Sequence, residues 1–192
     1  MPSIVWHPGR SDAAIRTAAI SCLHTELKVP EITASVITGD LEKLVTLVTG
    51  LLEEEDRRTR LLALRCLSAL SHLPEPGTLP VQLVHTSVTE LLKRLDDTDA
   101  EVRQTAAATF PALVSALGPD YSGEQWRGHV EHFARTLLVF LDDTDEALQE
   151  RVYEALLAAG HLNTAVVCEQ ASVERDRQRS PTRCDRLLRH WQ

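Results

Sequence analysis

The string "HVEH" sets His129 and His132 three residues apart, with Glu131 between them. On a helix that spacing brings two imidazoles to neighbouring turns of one side. Two such nitrogens beside a carboxylate are a partial ligand set for zinc or iron. A plainer reading places both histidines on the solvated side, flanking the apolar Val130 and Phe133. The second chemistry to weigh is thiolate nucleophilicity, which needs an activating neighbour. Cys184 lies beside Arg183 and Arg186, whose charges would favour the thiolate; an ordinary surface cysteine is the competing reading. Cys22, Cys66, Cys168 and Cys184 are widely spaced, with no C-x-x-C pair, which fits a reducing compartment and not a disulfide or zinc framework. Glycines are scattered in turns, so no phosphate-cradling loop exists, and no Ser-His-Asp spacing stands out. The expectation is a protein that is not an enzyme and that carries no metal or cofactor.

Composition narrows the classes further. The chain has 192 residues, 43% hydrophobic and 25% charged, with a net charge of −8. That is enough apolar material for one sizeable core or a short repeat array. The acidic balance argues against nucleic-acid binding. No apolar run approaches the ~20 residues needed to span a bilayer, and "MPSIVWHPGR" lacks the pattern of a secretion signal.

The elements that would position any site announce themselves by repetition. "LLKRLDDTDAEVR" begins at Leu91 and "LLVFLDDTDEALQ" at Leu137. Aligned on Asp12, Asp56, Asp99 and Asp145, four segments recur at intervals of 44, 43 and 46 residues. Periods of that size belong to stacked helix pairs. Three residues past each aspartate stand Ile15, Thr59, Val102 and Leu148; seven past stand Ala19, Ala63, Ala106 and Val152. Ten past come Cys22, Cys66, Thr109 and Ala155; eleven past, Leu23, Leu67, Phe110 and Leu156. These offsets trace one face of a 3.6-residue helix, so Cys22 and Cys66 read as small buried hydrophobes. Preceding helices carry matching stripes, such as Val84, Val88, Leu91 and Leu95. Nothing alternates like a strand.

The patterning predicts helices near 12–27, 34–54, 57–72, 81–96, 100–117, 124–142, 146–159, 163–178 and 181–191. Pro111 should kink or end its helix, while Leu113, Val114 and Leu117 suggest that the helix resumes. The organisation expected is an all-α, right-handed α-α superhelix of about four stacked hairpins. Residues 1–9 would be a remnant and 10–160 the solenoid, with units near 10–28, 34–73, 80–118 and 123–160. Capping helices would follow over 161–192.

The turns are legible too. "LDDTD" supplies short acids where one helix stops and the next starts. Asp56, Asp99 and Asp145 read as turn and cap residues, with Thr98 and Glu101 a rival capping box. Six residues past an acid comes a base: Glu54 to Arg60 and Asp97 to Arg103. Asp143 to Gln149 loses the pairing, and the first unit has Arg10 in place of the acid. Acid and arginine would form a ladder between stacked units, each rung partly exposed and contributing about 0–1 kcal/mol.

These residues resemble HEAT repeats over roughly 10–160. "AAIRTAAISCL", "TELLKRLDD", "VRQTAAATF", "LLVFLDD" and "RCDRLLRHWQ" resemble more closely the C-terminal repeats of the HEAT-repeat dynein axonemal assembly factor family. That resemblance implies a cytoplasmic, non-catalytic scaffold in the preassembly of dynein arms for motile cilia. Its partners would be axonemal dynein intermediate or heavy chains and chaperone components. Two alternatives are a HEAT adaptor of another complex, of phosphatase or transport type, and a metal-binding HEAT enzyme, though those carry His-Glu dipeptides that this chain lacks.

Where would partners sit? Outward positions of the second helices read Arg58, Leu61, Leu64 and Arg65, then Gln104, Ala107 and Ala108, then Glu150, Tyr153 and Leu157. They are apolar for a solvated face. Either they line a concave groove, with Arg58, Leu61, Arg65, Gln104 and Tyr153 as contacts, or a tightly curved stack buries them. The acid-rich turns would form one rim that attracts a basic partner. From Val173 to His190 six arginines face three acids, which fits a solvated capping helix or a docking segment that uses Trp191. Ile15, Ala18, Cys22 and Leu23 would lack a neighbour, leaving a face prone to self-association.

Overall fold

Residues 10–29, 34–37 and 39–191 are described by the computed structural model of the chain. The remnant expected at 1–9 lies outside them. Every described regular element is helical. The α-helices are α1 (Arg10–Glu26), α2 (Ala34–Ile37), α3 (Leu41–Gly50), α4 (Arg57–Ser71), α5 (Val81–Lys93), α6 (Ala100–Ser115), α7 (Arg127–Val139), α8 (Glu146–Leu162), α9 (Thr164–Arg175) and α10 (Thr182–His190). The chain divides into two compact units, Met1–Leu117 and Gly118–Gln192.

In the first unit the hairpins α3/α4 and α5/α6 lie side by side. α4 packs between α1 and α6, and α3 packs against α5. The apolar stripes meet at these contacts: Leu52, Ala63, Leu67, Leu70, Val88, Leu91, Ala106, Phe110 and Leu113 are fully buried. Each large side chain so removed from water contributes about 1.5–3 kcal/mol. The small Ala63 and Ala106 are both buried, on the adjoining helices α4 and α6.

In the second unit α7 and α8 pair, α9 packs on both, and α10 packs on α9 and α8. Phe133, Leu137, Val152, Leu156 and Leu187 form that core.

One expectation about continuity is corrected. The helix drawn over 34–54 is interrupted: α2 ends at Ile37, Gly39 and Asp40 turn, and α3 begins at Leu41. Pro111 lies inside α6, which runs on to Ser115 as the apolar residues after it suggested. A proline inside a helix costs about 3 kcal/mol, through its missing N–H and the clash of its ring with the preceding turn. Phe110, Ala112, Leu113 and Val114 are all buried around it, and that burial outweighs the loss.

Three first helices finish alike. Short 3-10 turns, Leu51–Glu53, Arg94–Asp96 and Phe140–Asp142, tighten their ends, and the chain then extends through Glu54, Asp97 and Asp143. The Pro/Gly break at 73–80 uses Gly77 at φ 86°, a conformation that favours glycine. The Gly77 N–H donates to Ala116 O at 2.9 Å and ties that loop to the end of α6.

Candidate interaction surface

The acidic turns and the arginines above them form a recurring polar arrangement among the described residues. Asp56, Asp99 and Asp145 sit at the N-termini of α4, α6 and α8 in extended backbone. Their carboxylates accept the N–H groups of Thr59, of Val102, and of Ala147 and Leu148. Those donors have no partner within the helix, so each cap contributes about 1 kcal/mol. One step earlier, Asp97 accepts the N–H of Asp99 at 3.0 Å and Asp143 that of Asp145 at 2.8 Å. Each "DDTD" therefore folds its own turn before it caps its helix.

The arginine six residues on does two jobs. Arg60 Nη1 donates to Glu54 O and Glu55 O in its own turn, at 2.9 and 2.8 Å. Its Nη2 then reaches Asp97 Oδ1 of the next turn at 2.9 Å, with Nε 2.8 Å from Oδ2. Arg16 repeats the reach one unit earlier, gripping Glu54 with Nε at 2.6 Å and Nη2 at 3.1 Å. Arg103 Nη1 keeps the backbone contact, to Asp97 O at 2.9 Å. The amide of Gln149 keeps it too, to Asp143 O. The uncharged residue at 149 therefore preserves half of the arginine's task.

Burial corrects the expected weakness of these rungs. The side chains of Arg16 and Glu54 are 5% and 9% exposed, and those of Arg60 and Asp97 10% and 3%. Burial pushes the Asp97 carboxyl up. The Arg60 hydrogen bond, the Asp99 N–H and the Arg60 and Arg94 charges together overcome it and hold the group below its usual 3.8. Removing one member of such a pair strands a buried charge.

Sequence reasoning missed a second set of ties. Thr17 Oγ1 and Thr59 Oγ1 lie 2.7 Å apart, and Thr49 Oγ1 and Ser87 Oγ 2.8 Å apart in a buried setting. The residue ten past the aspartate also points back one repeat. Cys66 Sγ donates to Ile20 O at 3.9 Å and Thr109 Oγ1 to Leu64 O at 3.4 Å. The signal was a small polar atom recurring in an apolar stripe.

Of the five contact residues expected on the second helices, two are core. Leu61 is 5% exposed and Tyr153 4%. Leu64 and Ala107 are buried as well, whereas Ala108 is exposed and Leu157 half-buried. Tyr153 lies under the Arg186 guanidinium, 4.0 Å from its ring centre. Arg58 and Arg65 are exposed and Gln104 is half-buried. Arg65 donates to Glu101 at 2.9 Å, and Arg57 bridges Glu101 and Asp99. The outward stripe of the first unit is therefore charged, with Glu53, Glu55 and Asp96 exposed on the turn side.

Burial sorts the cysteines and histidines. Cys66 is buried and its thiol pushed up to about 12 by desolvation. Cys22, at the equivalent position, is exposed. It shares an open stripe with Ala14, Ala18 and Ile15, the last 51% exposed, because no described element covers that side of α1; Leu23 turns inward and is buried. Cys184 is neither exposed nor activated. Burial first, then Asp185 and Glu174, push its thiol up to about 11 against the opposing Arg175 charge. His129 and His132 are both exposed. Among the described residues no three His, Cys, Asp or Glu side chains gather as a metal site, and no helix is long and apolar enough to cross a membrane. Trp191 does not project for docking: its indole lies against Gly160 of α8, so closely that a Cβ there would come 2.1 Å from Cζ2.

Stacked hairpins joined through acid turns and buried arginines define a HEAT-repeat protein, and the model of the HEAT repeat family matches residues 88–117. A solved engineered protein shares the fold with a TM-score of 0.58 and 23% identity, over 94% of this chain and 74% of its own. By sequence, the whole chain is similar to dynein axonemal assembly factor 5. It is 34% identical to the Homo sapiens protein over 191 residues and 34% to that of Xenopus laevis over 192. All of this chain is covered, and 22% and 23% of those relatives, so it spans about a fifth of their length. The resemblance read from the sequence is borne out at the level of family. These relatives are named as assembly factors.

Proposed function

We propose that this chain acts as a non-enzymatic HEAT-repeat scaffold in the cytoplasmic preassembly of axonemal dynein arms of motile cilia. It would act by binding dynein intermediate or heavy chains and chaperone components. The observation that carries the reading is the whole-length similarity to dynein axonemal assembly factor 5. The fold suits the task. Buried arginine–acid rungs fix the hairpins within the first unit, so its surface is preformed and little ordering entropy opposes association. Leu61 and Tyr153 serve the core, which leaves Arg58, Arg65 and Gln104 as contact residues beside Arg57 and Glu101. The exposed acids Glu53, Glu55 and Asp96 favour a basic segment on the partner.

The test is affinity capture with the tagged chain in ciliating cells, beside Arg58→Glu/Arg65→Glu. The wild type retains axonemal dynein chains, and the variant retains several-fold less at an unchanged melting temperature. Recovery of a phosphatase or transport complex without dynein chains would replace this reading with the HEAT-adaptor one. Equal capture by the variant would remove this face from the proposal.

A further inference from the structure

The segment between α9 and α10 reads "RQRSPTR", from Arg177 to Arg183. Ser180 is exposed. Pro181 follows it with φ −73° and no N–H, and a residue before proline is biased to extended backbone. Arg183 stands three residues beyond the serine, with Arg177 and Arg179 before it. A protein kinase that takes proline directly after its acceptor and reads a base two residues further would accept this string.

The same segment is a clasp. The Asp142 carboxylate accepts the Arg179 N–H and the Arg179 Nε, each at 3.0 Å, and the Ser180 N–H at 3.3 Å. The Arg179 guanidinium also donates to Asp142 O. Beside it, Gln178 Nε2 donates to Leu138 O at 2.9 Å, while its Oε1 accepts the buried Cys184 Sγ at 3.2 Å. One short loop thus closes the end of α7 and covers the first turn of α10. Its bonds to Asp142 are at the surface, the Arg179 side chain being 70% exposed, and exposed bonds of this kind open readily.

We infer that Ser180 is a phosphoacceptor for a proline-directed protein kinase, and that its phosphorylation releases the Asp142 clasp and loosens α10. Ser180 Oγ attacks the γ-phosphorus of the kinase-bound nucleoside triphosphate. The bond from that phosphorus to the β–γ bridging oxygen breaks, the nucleoside diphosphate leaves, and the hydroxyl proton passes to the kinase's catalytic carboxylate. The product carries nearly two negative charges beside a residue whose N–H faces Asp142. Phosphate and carboxylate repel, and the phosphate competes for Arg179. Both effects act against the same bonds.

The test treats the folded 192-residue chain with ATP and a cyclin-dependent kinase, maps phosphate by mass spectrometry, and follows iodoacetamide labelling of Cys184. One phosphate is expected on Ser180 and none on the Ser180→Ala chain. Cys184 labelling should rise about tenfold in the phosphorylated chain, and comparably in Asp142→Asn, where the clasp is weakened without phosphate. A folded wild-type chain that takes no phosphate at Ser180 overturns the proposal. So does a phosphorylated chain whose Cys184 labels no faster than before.

Discussion

Arg60→Met tests the buried ladder, because it keeps most of the side chain's apolar length and deletes its charge and donors. The variant leaves the Asp97 carboxylate, 3% exposed, with the Asp99 N–H and a distant Arg94 at 3.7 Å. It also leaves Glu54 O and Glu55 O without the Nη1 donor. Stranding one member of a buried pair costs about 3–5 kcal/mol, against about 0–1 kcal/mol for an exposed one, so the two descriptions of the ladder are separable. The pH dependence sharpens the test. In the wild type the Asp97 carboxyl sits below 3.8. Its contribution is therefore complete above that value and is lost only as pH falls through the lower folded one. Without Arg60 less opposes the desolvation, and the folded carboxyl moves up from its wild-type position. The stability that Arg60 adds through this carboxylate is then lost as pH falls through the carboxylate range, and the gap to wild type narrows. Urea unfolding followed by circular dichroism from pH 7 to pH 3 measures both quantities. A loss under about 1 kcal/mol at pH 7, or a gap that does not change with pH, would refute the claim that burial gives the rung its strength.

Three further outcomes follow from the same geometry. Gly160→Ala should lower the melting temperature although alanine favours helix by about 1 kcal/mol, because a Cβ 2.1 Å from the Trp191 ring must displace it; in a Trp191→Ala background the same change should raise it, and equal effects in both would contradict the contact. Asp145→Ala strands the Ala147 and Leu148 N–H groups and should cost about 1–2 kcal/mol in urea unfolding. Under native conditions iodoacetamide should modify Cys22 and spare Cys66, whose thiol is buried and raised to about 12; equal peptide-mapped rates would sink that assignment.

What the sequence disclosed was whatever recurs locally. Helix stripes and caps depend on residues three to eleven apart, so the offsets from Asp56, Asp99 and Asp145 located them without knowledge of neighbours. Exposure does not work that way. α4 touches α1, α3 and α6, and a helix covered on three sides keeps only a narrow open stripe, here Arg57, Arg58 and Arg65. A two-faced reading therefore sent Leu61 outward when it is core. The rungs were misjudged for the same reason: Glu54 and Asp97 sit in turns, which are usually wet, and only the stack above them excludes water. The reverse holds at Cys22, where the stripe is intact but no described helix covers it.

The repeated phrase that marks the turns is best understood as a joint whose backbone role is constant and whose side-chain role is set by its neighbour. In "LDDTD" the second and third aspartates do the same work at both sites, turning the chain and capping α6 or α8. The first aspartate differs. Asp96 is exposed, whereas Asp142, in the same string, is held by the N–H groups of Arg179 and Ser180, which keep its carboxyl below the usual value. The local sequence cannot distinguish the two, because the difference lies in a loop 37 residues away. A repeat that fixes its own turn and leaves one acid uncommitted can accept a basic segment of its own chain or of another. By that logic the exposed acids of the first unit, Glu53, Glu55 and Asp96, are the ones left open to such a segment.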